Sequence, residues 1–239
     1  MRKIFAIVNC TNDSFYDGGA GDPIKRAKQM LASGADILDI GGESTRPGHL
    51  PISEEEELKR VLPVIEALNG YPLSIDTRKP NVAQKALKAG ASIINDVGGF
   101  EDPQMRELAK DKKIVLMHSR QEEDLIPGML DFFEKRAREL DGSEIIIDPG
   151  IGFGKSVDEN YQVLKNLNLF VKLGFPVLVG LSRKSFMQKV LNKSAAEVLP
   201  TTLALNTLAL LEGVEYIRVH DVQEHREVLT VLEKLEAVS

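Results

Sequence analysis

The chain has no tryptophan and one cysteine, Cys10, among its 239 residues. A lone thiol permits no internal disulfide, and the usage fits a reducing compartment. No apolar run reaches the ~18 residues of a membrane span. The opening Met1-Arg2-Lys3-Ile4-Phe5-Ala6-Ile7-Val8-Asn9-Cys10 turns polar too early for a signal peptide, so a cytoplasmic protein without a membrane partner is expected. A net charge of −6 argues against a broad nucleic-acid surface and leaves room for a local basic pocket. No linker or low-complexity tract divides the chain. One apparent nucleotide signal also fails: a P-loop ending at Gly154-Lys155-Ser156 needs glycine at 149, where the chain has proline.

What is present is a regular alternation. Short β-branched runs at 4–8, 36–40, 73–75, 92–94, 114–117, 144–147, 176–179 and 216–219 alternate with amphipathic stretches. The latter fall near 22–33, 53–69, 79–89, 103–110, 127–140, 157–168, 184–212 (with a break) and 222–236. Strand and helix in alternation call for parallel strands joined by crossover helices, and eight such units predict an α/β fold, a closed (β/α)₈ TIM barrel, as one domain over 1–239. The run Glu54-Glu55-Glu56-Glu57 after Ser53 reads as dipole compensation with a Ser53/Glu56 capping box rather than as a binding site.

A barrel of this kind builds its site at the carboxyl ends of the strands. Polar residues end all eight runs: Asn9; Glu43 to Arg46; Asp76; Asn95 and Asp96; His118; Asp148; Ser182 to Lys184; Arg218 with His220. One such residue is usually a helix cap or a solvated loop residue; eight together favour a convergent site. Two chemistries stand out. Asp76, Asn95, Asp148 and Lys184 combine acceptors, an amide and an ammonium, a set suited to the edge of a flat heterocycle bearing amino, N–H and carbonyl groups. Asn9, Arg218, His220 and the segment 11–19, with Asp13, suit a phosphate and a hard cation. Arg183 adds positive charge. A plain surface lysine at 184, at the positive end of a helix dipole, is slightly disfavoured. Gly150, Gly152 and Gly154 let the segment after Asp148 turn sharply or approach a ligand. Lys155 has no evident role. His49 and His225 read as solvated, His118 as a structural wall, and Cys10 as a small barrel residue.

The motifs Asn9-Cys10-Thr11-Asn12-Asp13-Ser14-Phe15, Asp39-Ile40-Gly41-Gly42-Glu43-Ser44-Thr45-Arg46-Pro47-Gly48, Ser74-Ile75-Asp76-Thr77, Ile94-Asn95-Asp96-Val97, Asp148-Pro149-Gly150-Ile151-Gly152-Phe153-Gly154-Lys155, Gly180-Leu181-Ser182-Arg183-Lys184 and Arg218-Val219-His220-Asp221 occur in order. Together they resemble the dihydropteroate synthase family, the sulfonamide target of folate biosynthesis, over nearly the whole chain. The resemblance implies a TIM-barrel transferase. It would condense 6-hydroxymethyl-7,8-dihydropterin pyrophosphate with p-aminobenzoate, releasing pyrophosphate with the help of Mg²⁺. It also implies roles. Asp76, Asn95, Asp148 and Lys184 would hold the pterin edge, with Met117 beneath the ring. Arg218, His220 and Thr45 would hold the pyrophosphate, with Asn9 as Mg²⁺ ligand and Asn9, Asp13, Lys184, Arg218 and His220 as the catalytic set. Arg46, Pro47, Phe153, Lys184 and Ser185 would form the p-aminobenzoate pocket.

Two departures from the family pattern matter. Cys10, Asn12 and Tyr16 stand where the family usually has valine, proline and serine. Losing that proline should leave the first loop freer. After His118 the family usually carries a longer loop with Met-Gln-Gly-x-Pro, whereas this chain reads Ser119-Arg120-Gln121-Glu122-Glu123, which should open one wall of the acceptor pocket. Rival readings are a pterin-binding methyltransferase domain, a barrel aldolase with Lys184 as Schiff-base nucleophile, and a pterin-binding protein without turnover. Leu203, Leu205, Leu208, Leu211, Val228 and Leu232 offer a face for a homodimer through the last helices, although core packing explains them equally well.

Overall fold

The computed structural model describes residues 2–10, 22–44 and 50–238. Eight parallel strands run in the order β6-β5-β4-β3-β2-β1-β8-β7. They are β1 (Lys3–Asn9), β2 (Ile37–Gly41), β3 (Leu73–Asp76), β4 (Ile93–Asp96), β5 (Lys113–Met117), β6 (Glu144–Asp148), β7 (Leu178–Val179) and β8 (Tyr216–Val219). Between β6 and β7 the amide of Ile147 donates to the carbonyl of Pro176 at 2.9 Å, and an Ile147/Val177 bridge closes the sheet into the expected barrel.

Helices follow the strands: α1 (Pro23–Ala32), α2 (Glu54–Ala67), α3 (Pro80–Ala89), α4 (Pro103–Ala109), α5 (Leu125–Glu139), α6 (Val157–Lys165) with the short α7 (Leu167–Val171), α8 (Ser185–Leu191), α9 (Leu199–Leu211) and α10 (Val222–Glu236). Their starts are legible locally. Pro23, Pro80 and Pro103 open helices where a missing N–H costs nothing, and Asp22 and Asp102 cap their helices through side-chain oxygens. Ser156 and Glu159 form a complete capping box on α6. At α2 only half of the expected box forms: Ser53 accepts from the Glu56 amide, while the Glu56 carboxylate goes to Arg60. The expected break in 184–212 falls after Asn192, which takes a left-handed conformation at the end of α8.

Strand alternation sorts the barrel into two faces. The outward set, including Ile4, Ala6, Val8, Leu38, Ile40, Ile75, Ile94, Leu116, Ile147 and Val219, joins the helices in the main core. The inward set begins with a separate apolar layer of Phe5, Ile37, Ile93, Val115, Ile146, Leu178 and Tyr216. Two residues further along each of these strands, the inward positions become Ile7, Asp39, Asn95, Met117, Asp148, Gly180 and Arg218. The barrel is therefore plugged by hydrocarbon at its lower end and lined with charge towards the carboxyl ends of its strands.

Phe5 packs edge-on against Tyr216 in the lower layer, with ring centroids 5.5 Å apart. We expect Phe5→Ala to destabilise the chain by ~3–5 kcal/mol, the usual loss for a fully buried aromatic, read as a lower urea midpoint. An unchanged midpoint would show that this layer does not support the barrel.

Candidate active site

Register brings the inward polar residues level. Asn9 pairs with Gly41, Gly41 with Asp76, Asp76 with Asn95, and, across the barrel, Met117 with Asp148. Arg218 reaches in from β8 and joins them. Its Nε donates to Asp39 at 2.5 Å and its Nη2 pairs with Asp76. Asn95 donates from Nδ2 to the same Asp39 oxygen at 3.0 Å. Asp148 accepts the Gly150 amide at 2.8 Å through one oxygen. Among the described residues, one oxygen of Asp39 and one of Asp76 are buried with no partner. Buried acceptors left unpaired are costly, so the floor is built to receive donors from a ligand.

The electrostatics follow from burial. Burial pushes the Asp148 carboxyl above its ordinary range, against the pull of the Gly150 amide and of Lys184 and Arg218. Asp76 is also raised: burial leads, Arg218 opposes it, and the adjacent Asp39 carboxylate adds to it. Arg218 is buried, which alone would favour its neutral form, yet Asp39 and Asp76 hold it above its usual value. Burial, reinforced by Arg218, lowers Lys184 to about 8. The same two causes lower His220 to about 4, so its imidazole is neutral at physiological pH. Its Nδ1 lies 2.9 Å from the hydroxyl of Ser182, which also accepts the His220 amide.

Loop anchors hold this constellation. Lys184 stands at the residue before α8, and its ammonium lies 4.1 Å from the centroid of the Phe153 ring, a cation–π contact. Gly152, at φ +85°, permits this approach: a Cβ there would stand 2.8 Å from the Lys184 Cδ. Gly150 is stricter still, because its Cβ would lie 1.9 Å from the His118 carbonyl oxygen. Asn160 fixes the same segment by accepting the Gly152 amide at 2.6 Å and donating to the Ser156 carbonyl at 2.7 Å. Arg183 does not bring free charge to the site; a two-pronged pair with Asp221 at 2.6 and 2.9 Å occupies it. On the opposite side, Glu43 accepts from Arg78 and Lys79, both at 2.6 Å, and from the Ile52 amide, and Lys79 also reaches the buried Glu57. The acidic run thus compensates a helix dipole and, through Glu57, anchors the loop roots.

Lys155, without a role in the sequence, is an internal clamp. Its ammonium contacts the carbonyls of Gly150 at 3.1 Å and of His118 and Phe153 at 3.3 Å, and lies 3.5 Å from the His118 Nδ1. His118 is buried edge-on to Phe132, and its Nε2 lies 2.9 Å from Glu122 in the short fifth loop. Glu122, His118 and Lys155 therefore tie that loop to the one after β6.

Of the residues expected from the sequence, Asp76, Asn95, Met117, Asp148, Lys184 and Arg218 come together. Asn9 lies on the same rung as Gly41, and His220 follows β8 directly. Phe153 is half-buried beside Lys184, and Ser185 is exposed at the start of α8. Asp13, Thr45, Arg46, Pro47 and His49 lie outside the described residues. Asp96 faces outward and accepts the Gly98 and Phe100 amides, so it shapes a turn. His225 is not solvated: it is fully buried, 2.8 Å from Asn206 Nδ2 and 2.6 Å from the Asp221 carbonyl. Asp39 was not among the expected site residues. Strand alternation would have found it, since it shares the inward face of β2 with Ile37 and Gly41.

The family model for pterin-binding enzymes matches residues 5–220. The chain belongs to the pterin-binding enzyme family. Within it, the dihydropteroate synthase of Bacillus subtilis (strain 168) is 46% identical over 239 residues, covering 92% of this chain and 84% of that one. A structure of Xanthomonas albilineans dihydropteroate synthase with 4-aminobenzoic acid superposes with a TM-score of 0.92 at 39% identity, covering 100% of this chain and 94% of the other. Another from the same organism, in complex with 7,8-dihydropteroate, gives 0.89 at 37%, covering 100% and 95%. Membership sets aside the aldolase reading of Lys184.

A pterin-binding enzyme with this site should show an alkaline limb. The Lys184 ammonium is fully charged well below pH 8 and is lost as pH rises through about 8. Pterin affinity is expected to weaken above pH 8, measured by fluorescence titration, and separately to fall below about 7 as the Asp76 carboxyl takes up its proton. In Lys184→Met the alkaline limb should be absent and affinity lower throughout; an alkaline limb that survives the substitution would remove Lys184 from pterin recognition.

Proposed function

We infer that the chain is a dihydropteroate synthase, joining 6-hydroxymethyl-7,8-dihydropterin pyrophosphate to p-aminobenzoate with release of pyrophosphate. The observation that carries the reading is the buried, acceptor-rich floor of Asp39, Asp76, Asn95 and Asp148, with Arg218 and Lys184 as its only described cations of the inner layer, in a barrel closely similar to known dihydropteroate synthases. The pterin presents an amino group, ring N–H groups and a carbonyl. Asp76 and Asp148 would accept from the N–H groups, Asn95 would add a further contact, Lys184 would donate to the carbonyl, and Met117 would lie beneath the ring. Each hydrogen bond to an ionised partner is worth ~1.5–3 kcal/mol.

The reaction breaks the bond from the pterin methylene to the bridging oxygen, which departs with the electron pair on pyrophosphate. The amine nitrogen of p-aminobenzoate supplies the pair for the new C–N bond and then loses a proton. No enzyme group need bond to the substrate, so catalysis rests on stabilising the leaving group and excluding water. Arg218 and neutral His220 would donate to the departing pyrophosphate, with Thr45 from a loop, and Asp13 would complete the catalytic set. Arg218 also grips Asp76, so pterin recognition and leaving-group departure share one side chain. Arg46, Pro47, Phe153, Lys184 and Ser185 would line the acceptor's approach.

Among the described residues no group of three or more His, Cys, Asp or Glu side chains could hold a metal ion. Asn9 offers one neutral oxygen, which fits Mg²⁺ that keeps its waters and binds chiefly through substrate phosphates. When bound there, Mg²⁺ would neutralise charge on the departing pyrophosphate. Asn9 would be its protein ligand. We also place the enzyme in the cytoplasm; no described helix is long and apolar enough to cross a membrane. A homodimer through the C-terminal helices is supported by the exposed Leu208 and Leu211 on α9 and Val231 and Leu235 on α10. Leu232, by contrast, belongs to the core.

The test is pyrophosphate release from the dihydropterin substrate. Release should require both p-aminobenzoate and Mg²⁺. Asp148→Asn should lower kcat/KM by roughly 10- to 150-fold, the equivalent of ~1.5–3 kcal/mol. Release that ignores p-aminobenzoate would contradict the synthase reading.

A further inference from the structure

Asp39 is a fully buried carboxylate whose chemistry is not exhausted by its pairing with Arg218. The same Oδ2 that accepts from Arg218 accepts from the side-chain amide of Asn95. This settles which way the Asn95 carboxamide turns. With its oxygen towards Asp39, two acceptors would face each other with no proton between them, at a buried site where such contacts are expensive. With Nδ2 towards Asp39, the contact is a charge-assisted hydrogen bond. Oδ1 is then turned away from Asp39, and the Asn95 side chain makes no other hydrogen bond among the described residues. Asp76, its register partner on β3, also has an oxygen without a partner there. The ligand-facing edge of β3 and β4 thereby carries acceptors.

An asparagine is by nature ambivalent, able to meet either a donor or an acceptor. We propose that Asp39 is a positioning residue for substrate specificity: by locking the Asn95 amide with its oxygen turned towards the ligand, it makes the floor select pteridines with donors on that edge and reject those with a carbonyl in place of the 2-amino group. The inference rests on the pterin-binding reading of this site. Asp148 contributes its own acceptor and is untouched by the lock, so part of the discrimination survives without Asp39.

The test compares affinities for a 2-amino-4-oxo pteridine and its 2,4-dioxo counterpart in the intact protein. Wild type should prefer the 2-amino compound strongly. In Asp39→Leu, which keeps the branched shape and offers no acceptor, the Asn95 amide is free to turn, and the preference should shrink about tenfold while thermal unfolding confirms a folded chain. Asp39→Ser, which removes the carboxylate without adding bulk, is read in the same way should the first variant fail to fold. A purely structural role would weaken both ligands equally, and an unchanged affinity ratio in a folded variant overturns the proposal. Failure of wild type to bind either pteridine would instead defeat the pterin-binding reading itself, and the inference with it.

Discussion

The ion triad of Arg218 with Asp39 and Asp76 is the constraint on which the rest of the site depends. Two carboxylates and one guanidinium are held in the barrel interior, a costly arrangement that well-packed hydrocarbon would replace at no loss of stability. Its value lies in what it leaves over. The guanidinium satisfies one oxygen of each carboxylate and leaves the other oxygen of each without a partner among the described residues. Removing Arg218 would leave two buried carboxyls without their shared cation, so its loss should damage the pterin floor together with the leaving-group end.

Such a centre needs a rigid frame, and the chain spends many of its remaining charged residues on building one. Arg183 with Asp221, Lys79 with Glu43 and Glu57, and Lys155 with three carbonyls each tie a loop root to its neighbour. None of these clamps uses its charge freely at the site. Burial has separated the cations into two kinds: those already satisfied by protein partners, and Lys184, whose ammonium lies over Phe153 and faces Asp148 and Asp76.

Much of this was readable before any coordinates, because strand period and strand-end polarity are local properties. The eight strands fall within a residue or two of their expected places, and Asp76, Asn95, Asp148 and Arg218 from their ends come together. What escaped was decided by tertiary placement. Asp39 sits inside an apolar run and looks like part of a motif rather than a site; only its inward face reveals it. Asp96, adjacent to Asn95, points outward and caps a turn. His225 appeared to be a solvated helix residue, yet α10 lays that face against α9, where Asn206 meets it. Lys155 gains its role from three carbonyls that only folding brings together. Asp13, Thr45, Arg46 and Pro47 lie outside the described residues, so their expected roles rest on resemblance.

The most direct test is a crystal structure of the chain with a bound dihydropterin. The ring should lie over Met117 with its amino and N–H edge on Asp148 and Asp76, the Asn95 oxygen facing the ligand, and Arg218 still paired with Asp39. A pterin seated elsewhere, or one that displaces Arg218 from both carboxylates, would contradict the charged inner layer as the recognition element.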